Sequence, residues 1–255
     1  MKETRLMMGM PITIEIVDEW ATYDAIERVF EYFRYVDEKF STYKETSEIT
    51  AINQKKLKLW QASEDMRTVF ALSEQTKEAT GGYFDIVRNG GYDPSGLVKG
   101  WAIYNAAEML RYAGFENFYV DAGGDVQAAG KNAEGQDWRV GIRNPFNMQE
   151  IVKVVSISNC GIATSGNYVR GNHIYNPLSA EPLSAEIISL TVIGPNIYEA
   201  DRFATAAFAM GRPGIAFIEQ LDGFEGYQID SNGRATFTSG FEQYVLQPRD
   251  EANHV

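Results

Sequence analysis

An α+β fold in a single domain is the architecture this sequence predicts, and two observations carry that expectation. Helical hydrophobic spacing gathers before Gly114, whereas from Asn117 onward short apolar runs alternate with turn residues. Segregated helices and strands mark α+β rather than repeating βαβ units. The 255 residues, 44% hydrophobic and 23% charged, also run without repeats, low-complexity tracts or a compositional break, as expected of one shared core. The expected domain spans 1–255, with short flexible ends at about 1–6 and 248–255.

The elements follow in order. Met10 to Val17 alternates around Ile12, Ile14 and Ile16 and reads as a strand. Ile26, Val29, Phe30, Phe33 and Val36 predict a helix over about 22–39. Ser63 is a suitable N-cap for a helix to Ala79, stopped by Gly81-Gly82. A third helix runs from about Ser95 to Ala113 on a stripe of Val98, Trp101, Ala102, Ala106 and Met109, and Gly114 closes it. Strands are expected over 117–121, 126–129, 138–142, 151–158 and 186–193. A helix over about 199–210 ends at Gly211 and Pro213, the segment 215–221 reads as helix or strand, and two last strands meet at Ser231-Asn232-Gly233.

Composition excludes several function classes. Lys and Arg number 23 against 35 Asp and Glu, a net charge of −12, the wrong sign for a phosphate-backbone binder. No run of about 18 apolar residues suits a membrane span. One cysteine, Cys160, leaves no internal disulfide and no cysteine-based metal site. Of two histidines, His254 sits in the tail, so a multi-histidine metal site is excluded and His173 is the one useful imidazole. The first residues lack the apolar core of a signal peptide. The expected compartment is therefore cytoplasmic as written, or periplasmic if a leader was removed.

Several short motifs carry chemistry beside a plainer reading. Asp121-Ala122-Gly123-Gly124-Asp125 follows a strand; it reads as a tight strand-to-strand turn, or as a loop whose glycines let a ligand approach while its carboxylates bind ribose or adenine groups. Thr164-Ser165-Gly166 reads as a plain turn or as a phosphate-holding one. His173 is a loop histidine or a proton acceptor. Asp201 and Thr205, four apart on one helix face, offer hard oxygen ligands for Mg²⁺. The apolar run that follows Asp201 predicts a buried helix, where a carboxylate needs a metal or a partner. Lys99 either forms a simple salt bridge or sits near phosphate, and Tyr43 offers a ring for stacking.

The order of these motifs is more informative than any one of them. Met8-Gly9-Met10 is followed by Phe40-Ser41-Thr42-Tyr43, by Ser47-Glu48-Ile49 with Asn53, and by Gly82-Tyr83-Phe84-Asp85-Ile86. Gly96-Leu97-Val98-Lys99-Gly100, the Asp121–Asp125 turn, Trp138-Arg139-Val140-Gly141-Ile142, Thr164-Ser165-Gly166, His173-Ile174-Tyr175-Asn176-Pro177 and Ala200-Asp201 with Ala204-Thr205-Ala206 complete the series. From about Met8 to Tyr244 the chain resembles the FAD:protein FMN transferases, the ApbE family. The resemblance implies an α+β domain of two intimately packed lobes with mixed or antiparallel sheets and an FAD cleft between them. It implies Mg²⁺-dependent transfer of FMN from FAD to a threonine or serine hydroxyl of an acceptor protein, with release of AMP.

Position by position, the resemblance makes Asp201 and Thr205 metal ligands, with a main-chain carbonyl near Gly96 as the third. Tyr43, Ser47 and Asn53 match the flavin half of the site, and Met10, Asp85 and Lys99 match cofactor-binding positions at the cleft. Asp121, Gly123 and Gly124 match the adenosine end, and Thr164 and Ser165 the phosphate side. His173 matches the proton acceptor, and Asp201 is grouped with it as catalytic. The chain departs where the family usually reads His-Ile-Ile-Asp-Pro-Arg-Thr-Gly: Asn176 replaces the carboxylate, Leu178 the arginine, and the segment before His173 is short. That departure keeps two alternatives in view, an FAD pyrophosphatase giving FMN and AMP, and a flavin-binding protein without catalysis. A homodimer stays open.

Overall fold

The computed structural model describes residues 1–167, 174–179 and 186–246. Its frame is an eight-stranded sheet built from β1 (Lys2–Met7), β2 (Met10–Ile16), β5 (Phe118–Ala122), β6 (Asp125–Ala129), β9 (Gly161–Gly166), β10 (Ile187–Gly194), β11 (Glu225–Asp230) and β12 (Ala235–Phe237). These lie in the spatial order β1-β2-β5-β6-β9-β10-β11-β12 and every neighbouring pair is antiparallel. Two small two-stranded sheets flank it, β3 (Val87–Arg88) with β4 (Gly91–Tyr92), and β7 (Trp138–Asn144) with β8 (Asn147–Ile157). The expected α+β class with antiparallel sheets is thus what the chain adopts.

Side chains alternate across a strand, and here the alternation feeds two cores. Ala129, Ala163, Leu190 and Val192 join the larger core, with α1 (Tyr23–Phe40), α4 (Ser95–Tyr112) and α5 (Ile197–Met210). Val126, Ala128, Ile162, Ile193 and Ile229 point the other way, into a second core with Trp138, Ile142, Val155 and Ile157 of the β7–β8 hairpin. All five residues of β6 are consequently buried. The expected two lobes take the form of these two cores.

Local chemistry sets the helix ends. Thr22, Ser63 and Asn196 accept from the backbone N–H groups of Ala25, Met66 and Glu199, at 3.3, 3.4 and 2.9 Å, and cap α1, α3 (Glu64–Ala79) and α5. The ambiguous segment near 215 is the short helix α6 (Gly214–Glu219). No helix among the described residues is long and apolar enough to cross a membrane.

Two expectations need correction. The N-terminal end at about 1–6 is not loose: Lys2 to Met7 pair along β2, from Lys2 opposite Glu15 to Met7 opposite Met10. The strand is polar, so hydrophobic alternation does not reveal it; cross-strand bonds such as the 3.0 Å Lys2–Glu15 ion pair hold it instead. Thr164-Ser165-Gly166 is no turn either. It ends strand β9, paired with β10 from Ser189 opposite Gly166 to Gly194 opposite Gly161. Its turn-forming composition is overridden by burial between neighbouring strands.

Candidate active site

One cavity of about 530 Å³ opens where α4, α5, the β5–β6 turn and the β7–β8 hairpin meet, a volume in the ordinary range for small-molecule sites. Met10, Asp85, Gly96, Lys99, Asp121, Gly123, Gly124, Thr164, Ser165, Asp201 and Thr205 all line it. Those eleven predicted positions, spread from the first strand to α5, converge on one space.

Asp201 sits on buried α5 against α4. The Gly100 backbone N–H donates to its Oδ2 at 2.8 Å, and the Lys99 Nζ lies 3.4 Å from its Oδ1. The same ammonium contacts Asp125 Oδ2, so Lys99 bridges two nearly buried carboxylates. Burial pushes the Asp201 carboxyl up to about 7; the Lys99 ammonium opposes the rise, the Asp125 carboxylate adds to it, and the Gly100 N–H opposes it. Asp125 Oδ1 in turn accepts from the Thr164 N–H at 3.0 Å, tying β6 to β9 beneath the cavity.

One turn along α5, the Thr205 Oγ1 lies 3.5 Å from the Gly96 carbonyl oxygen and 3.5 Å from Ser165 Oγ. These separations exceed the roughly 2.8 Å of a good O–H···O bond, so the oxygens gather without saturating one another. A carboxylate, a hydroxyl and a carbonyl make a hard-oxygen donor set that fits Mg²⁺, a cation that fills its remaining positions with water or phosphate. No group of three or more carboxylate, imidazole or thiol side chains suited to a metal occurs among the described residues.

The β5–β6 turn forms the opposite rim. Gly123 and Gly124 adopt φ of 66° and 98°, a region that penalises side chains. The Gly123 N–H donates to the Pro11 carbonyl at 2.9 Å and the Gly124 N–H to Asp121 Oδ1 at 2.8 Å. Burial raises the Asp121 carboxyl, the Gly124 N–H counteracts it, the Asp125 charge adds to it, and Arg143 counteracts it. Asp85 lies at the mouth, 2.7 Å from the Lys77 ammonium.

Three predicted residues are elsewhere. Tyr43 is 97% exposed and does not line the cavity. Ser47 is fully buried as the N-cap of α2 (Glu48–Asn53), accepting from the Thr50 N–H at 3.2 Å. Asn53 ends that helix and bonds the Tyr92 backbone twice, at 2.9 and 2.7 Å. His173 lies outside the described residues; Ile174 and Tyr175, which follow it, line the cavity. Asn176 Oδ1 accepts from the Leu178 N–H at 2.9 Å and so shapes a turn. Sequence reasoning left unassigned Asp125, Asp93, Arg143 and Met148, which all line the cavity. Asp125 stood inside a quoted motif, whereas Arg143 and Met148 sit in a hairpin whose tip has no signature.

Comparison with known proteins agrees with this fold. The chain superposes on a solved ApbE protein from Thermotoga maritima with a TM-score of 0.86, 20% identity, and 97% and 99% coverage of the two chains. The flavin transferase ApbE of Vibrio cholerae gives a TM-score of 0.83 at 21% identity, with 96% and 98% coverage. In sequence this chain is 31% identical over 150 residues to the FAD:protein FMN transferase of Escherichia coli K12, over 55% of its own length and 43% of that one. The Haemophilus influenzae protein of the same name is 36% identical over 78 residues, 30% of this chain and 22% of that one. Each of these sequence matches spans less than half of the curated relative. The ApbE family model matches residues 8–90 and 88–227, a span that holds every cavity residue named above, and the chain belongs to the ApbE family.

Proposed function

We propose that this chain transfers FMN from FAD to a threonine or serine hydroxyl of an acceptor protein, releasing AMP, with Mg²⁺ as cofactor. The observation that carries the reading is the meeting of Asp201, Thr205, the Gly96 carbonyl and Lys99 in one cavity with the Gly123–Gly124 turn. The family membership and the names of the curated relatives support it.

In this reading the acceptor hydroxyl oxygen bonds to the phosphorus on the flavin side of the diphosphate. The P–O bond to the adenosine-side phosphate breaks, and AMP leaves with the bridging oxygen. Asp201, Thr205 and the Gly96 carbonyl would hold the cation. When bound, Mg²⁺ supplies charge neutralisation at phosphoryl oxygens. Lys99, fixed between Asp125 and Asp201, keeps a positive charge on the cavity floor without a mobile side chain. The glycines of the β5–β6 turn let the ligand backbone approach the sheet end closely. The hydroxyl proton goes to His173 by the family resemblance. Little covalent chemistry is asked of the protein beyond positioning and electrostatics.

The test mixes the purified chain, FAD and Mg²⁺ with an acceptor domain of the type the family modifies. It reads in-gel flavin fluorescence after denaturation and AMP by chromatography, beside an EDTA control. Covalent flavin and AMP, both lost with EDTA, are expected. AMP without covalent flavin would replace transfer by hydrolysis, and bound FAD with neither product would leave a flavin-binding protein.

A further inference from the structure

The cavity is rich in carboxylates. Asp85, Asp93, Asp121, Asp125 and Asp201 line it, against Lys99 and Arg143. Lys99 is held by two of the carboxylates. The Arg143 guanidinium makes no hydrogen bond or ion pair among the described residues. It is the cation whose donors remain open toward the cavity.

The backbone around Arg143 is also irregular. Along β7, Ile142 pairs with Lys153, Arg143 with Ile151 and Asn144 with Asn147, so the register slips on both sides of Arg143. Val152 is left over on one side and Met148 to Glu150 on the other. Such bulges bend a strand and re-aim a side chain, and they gather beside active sites. Of the hairpin residues at the cavity, Gly141 has no side chain and Met148 no charge, so Arg143 is the one charged group that β7–β8 contributes. Its field already acts on half-buried Asp121.

We propose that Arg143 is a phosphate-binding residue, its guanidinium gripping the diphosphate of FAD from the β7–β8 hairpin. The inference rests on the FAD reading of the cavity and adds a residue to it. A guanidinium presents five N–H donors in a planar fork matched to phosphate oxygens. Within FAD the diphosphate is the anionic part, and five aspartates would otherwise repel it.

The experiment titrates FAD and riboflavin, which lacks phosphate, into the full chain with Mg²⁺, for wild type, Arg143→Gln and Arg143→Lys. Arg143→Gln is expected to weaken FAD about tenfold, as for loss of a charge-assisted hydrogen bond, and to leave riboflavin within about twofold. It should also flatten the salt dependence of FAD binding. Arg143→Lys should fall between. If Arg143→Gln lowers the melting temperature, Arg143→Lys decides, through the same FAD-to-riboflavin contrast. FAD affinity unchanged in Arg143→Gln, beside a wild type that binds FAD, would overturn the inference alone. Equal weakening of FAD and riboflavin would overturn it too, by making Arg143 a prop of the hairpin. Wild type that binds neither flavin would remove the FAD reading, and this inference with it.

Discussion

The Gly100 N–H donates to Asp201 Oδ2 across 101 residues of sequence, and the two residues are so close that a Cβ on Gly100 would lie 2.6 Å from the Asp201 Cβ. A glycine therefore lets α4 approach α5, and the approach supplies one acidic oxygen with a backbone donor while the other faces Lys99. Gly100→Ala should force the helices apart and cost about 1–3 kcal/mol, the usual range for overpacking. Urea unfolding measures this, and isothermal titration with Mg²⁺ should show weaker binding because Asp201 shifts with α5. A variant as stable as wild type would mean that the contact is slack.

Asp201→Asn should abolish metal-dependent AMP release while leaving the fold intact. The amide oxygen can still accept from Gly100, so the helix contact survives, but the anionic ligand is gone. In EDTA at about pH 4, where the wild-type carboxyl keeps its proton, circular dichroism and melting should match wild type within a few degrees, by analogy with ordinary small stability changes. Undiminished AMP release from this variant would remove Asp201 from the metal site.

Proton and cation should compete at Asp201. Its folded carboxyl is raised from 3.8 to about 7 by burial, with Lys99 opposing. A raised acid binds its proton more tightly when folded. Its contribution to stability is full below the unfolded value and lost as pH rises through the folded one. In EDTA, wild-type stability should therefore fall between about pH 4 and pH 7 relative to Asp201→Asn. Cation affinity should run the other way. Below about pH 7 binding must expel a proton, so affinity should drop by up to tenfold per pH unit. Mg²⁺ titration across pH reads this, and a flat profile would show that Asp201 is already ionised in the cation-free protein.

How much of this was legible before folding depends on the kind of signal. Met10, Gly96, Lys99, Asp121, Thr164, Asp201 and Thr205 each read weakly alone, yet their order along the chain marked one site, and they meet in one cavity. Ser47 and Asn53 belong to the same ordered series but serve the short helix α2 and the strand beside it. A capping serine and a ligand-binding serine look alike in sequence. Arg143 was illegible because which face of β7 meets the cavity depends on how the β7–β8 hairpin packs against the sheet, and nothing in the hairpin's own sequence states that. The polar edge strand β1 was hidden for a related reason: its stability lies in cross-strand partners, not in its own pattern.

Asn53 tests whether a residue off the cavity still governs it. Its Nδ2 donates to the Tyr92 carbonyl and its Oδ1 accepts from the Tyr92 N–H, so the side chain acts as a substitute strand partner for β4. Immediately after Tyr92 the chain reaches Asp93, Ser95, Gly96 and Lys99, all at the cavity. Asn53→Ala removes both bonds and should cost about 1–2 kcal/mol, near the net value of two hydrogen bonds. FAD should bind a few-fold more weakly, because the wall from Asp93 to Gly96 loses its anchor. Asn53→Asp should be informative, since it keeps the acceptor for the Tyr92 N–H but loses the donor to the Tyr92 carbonyl. It is expected to fall between wild type and Asn53→Ala in both urea stability and FAD affinity, the two changing in parallel. A loss of FAD affinity in Asn53→Ala with unchanged stability would instead mean that Asn53 touches the ligand itself.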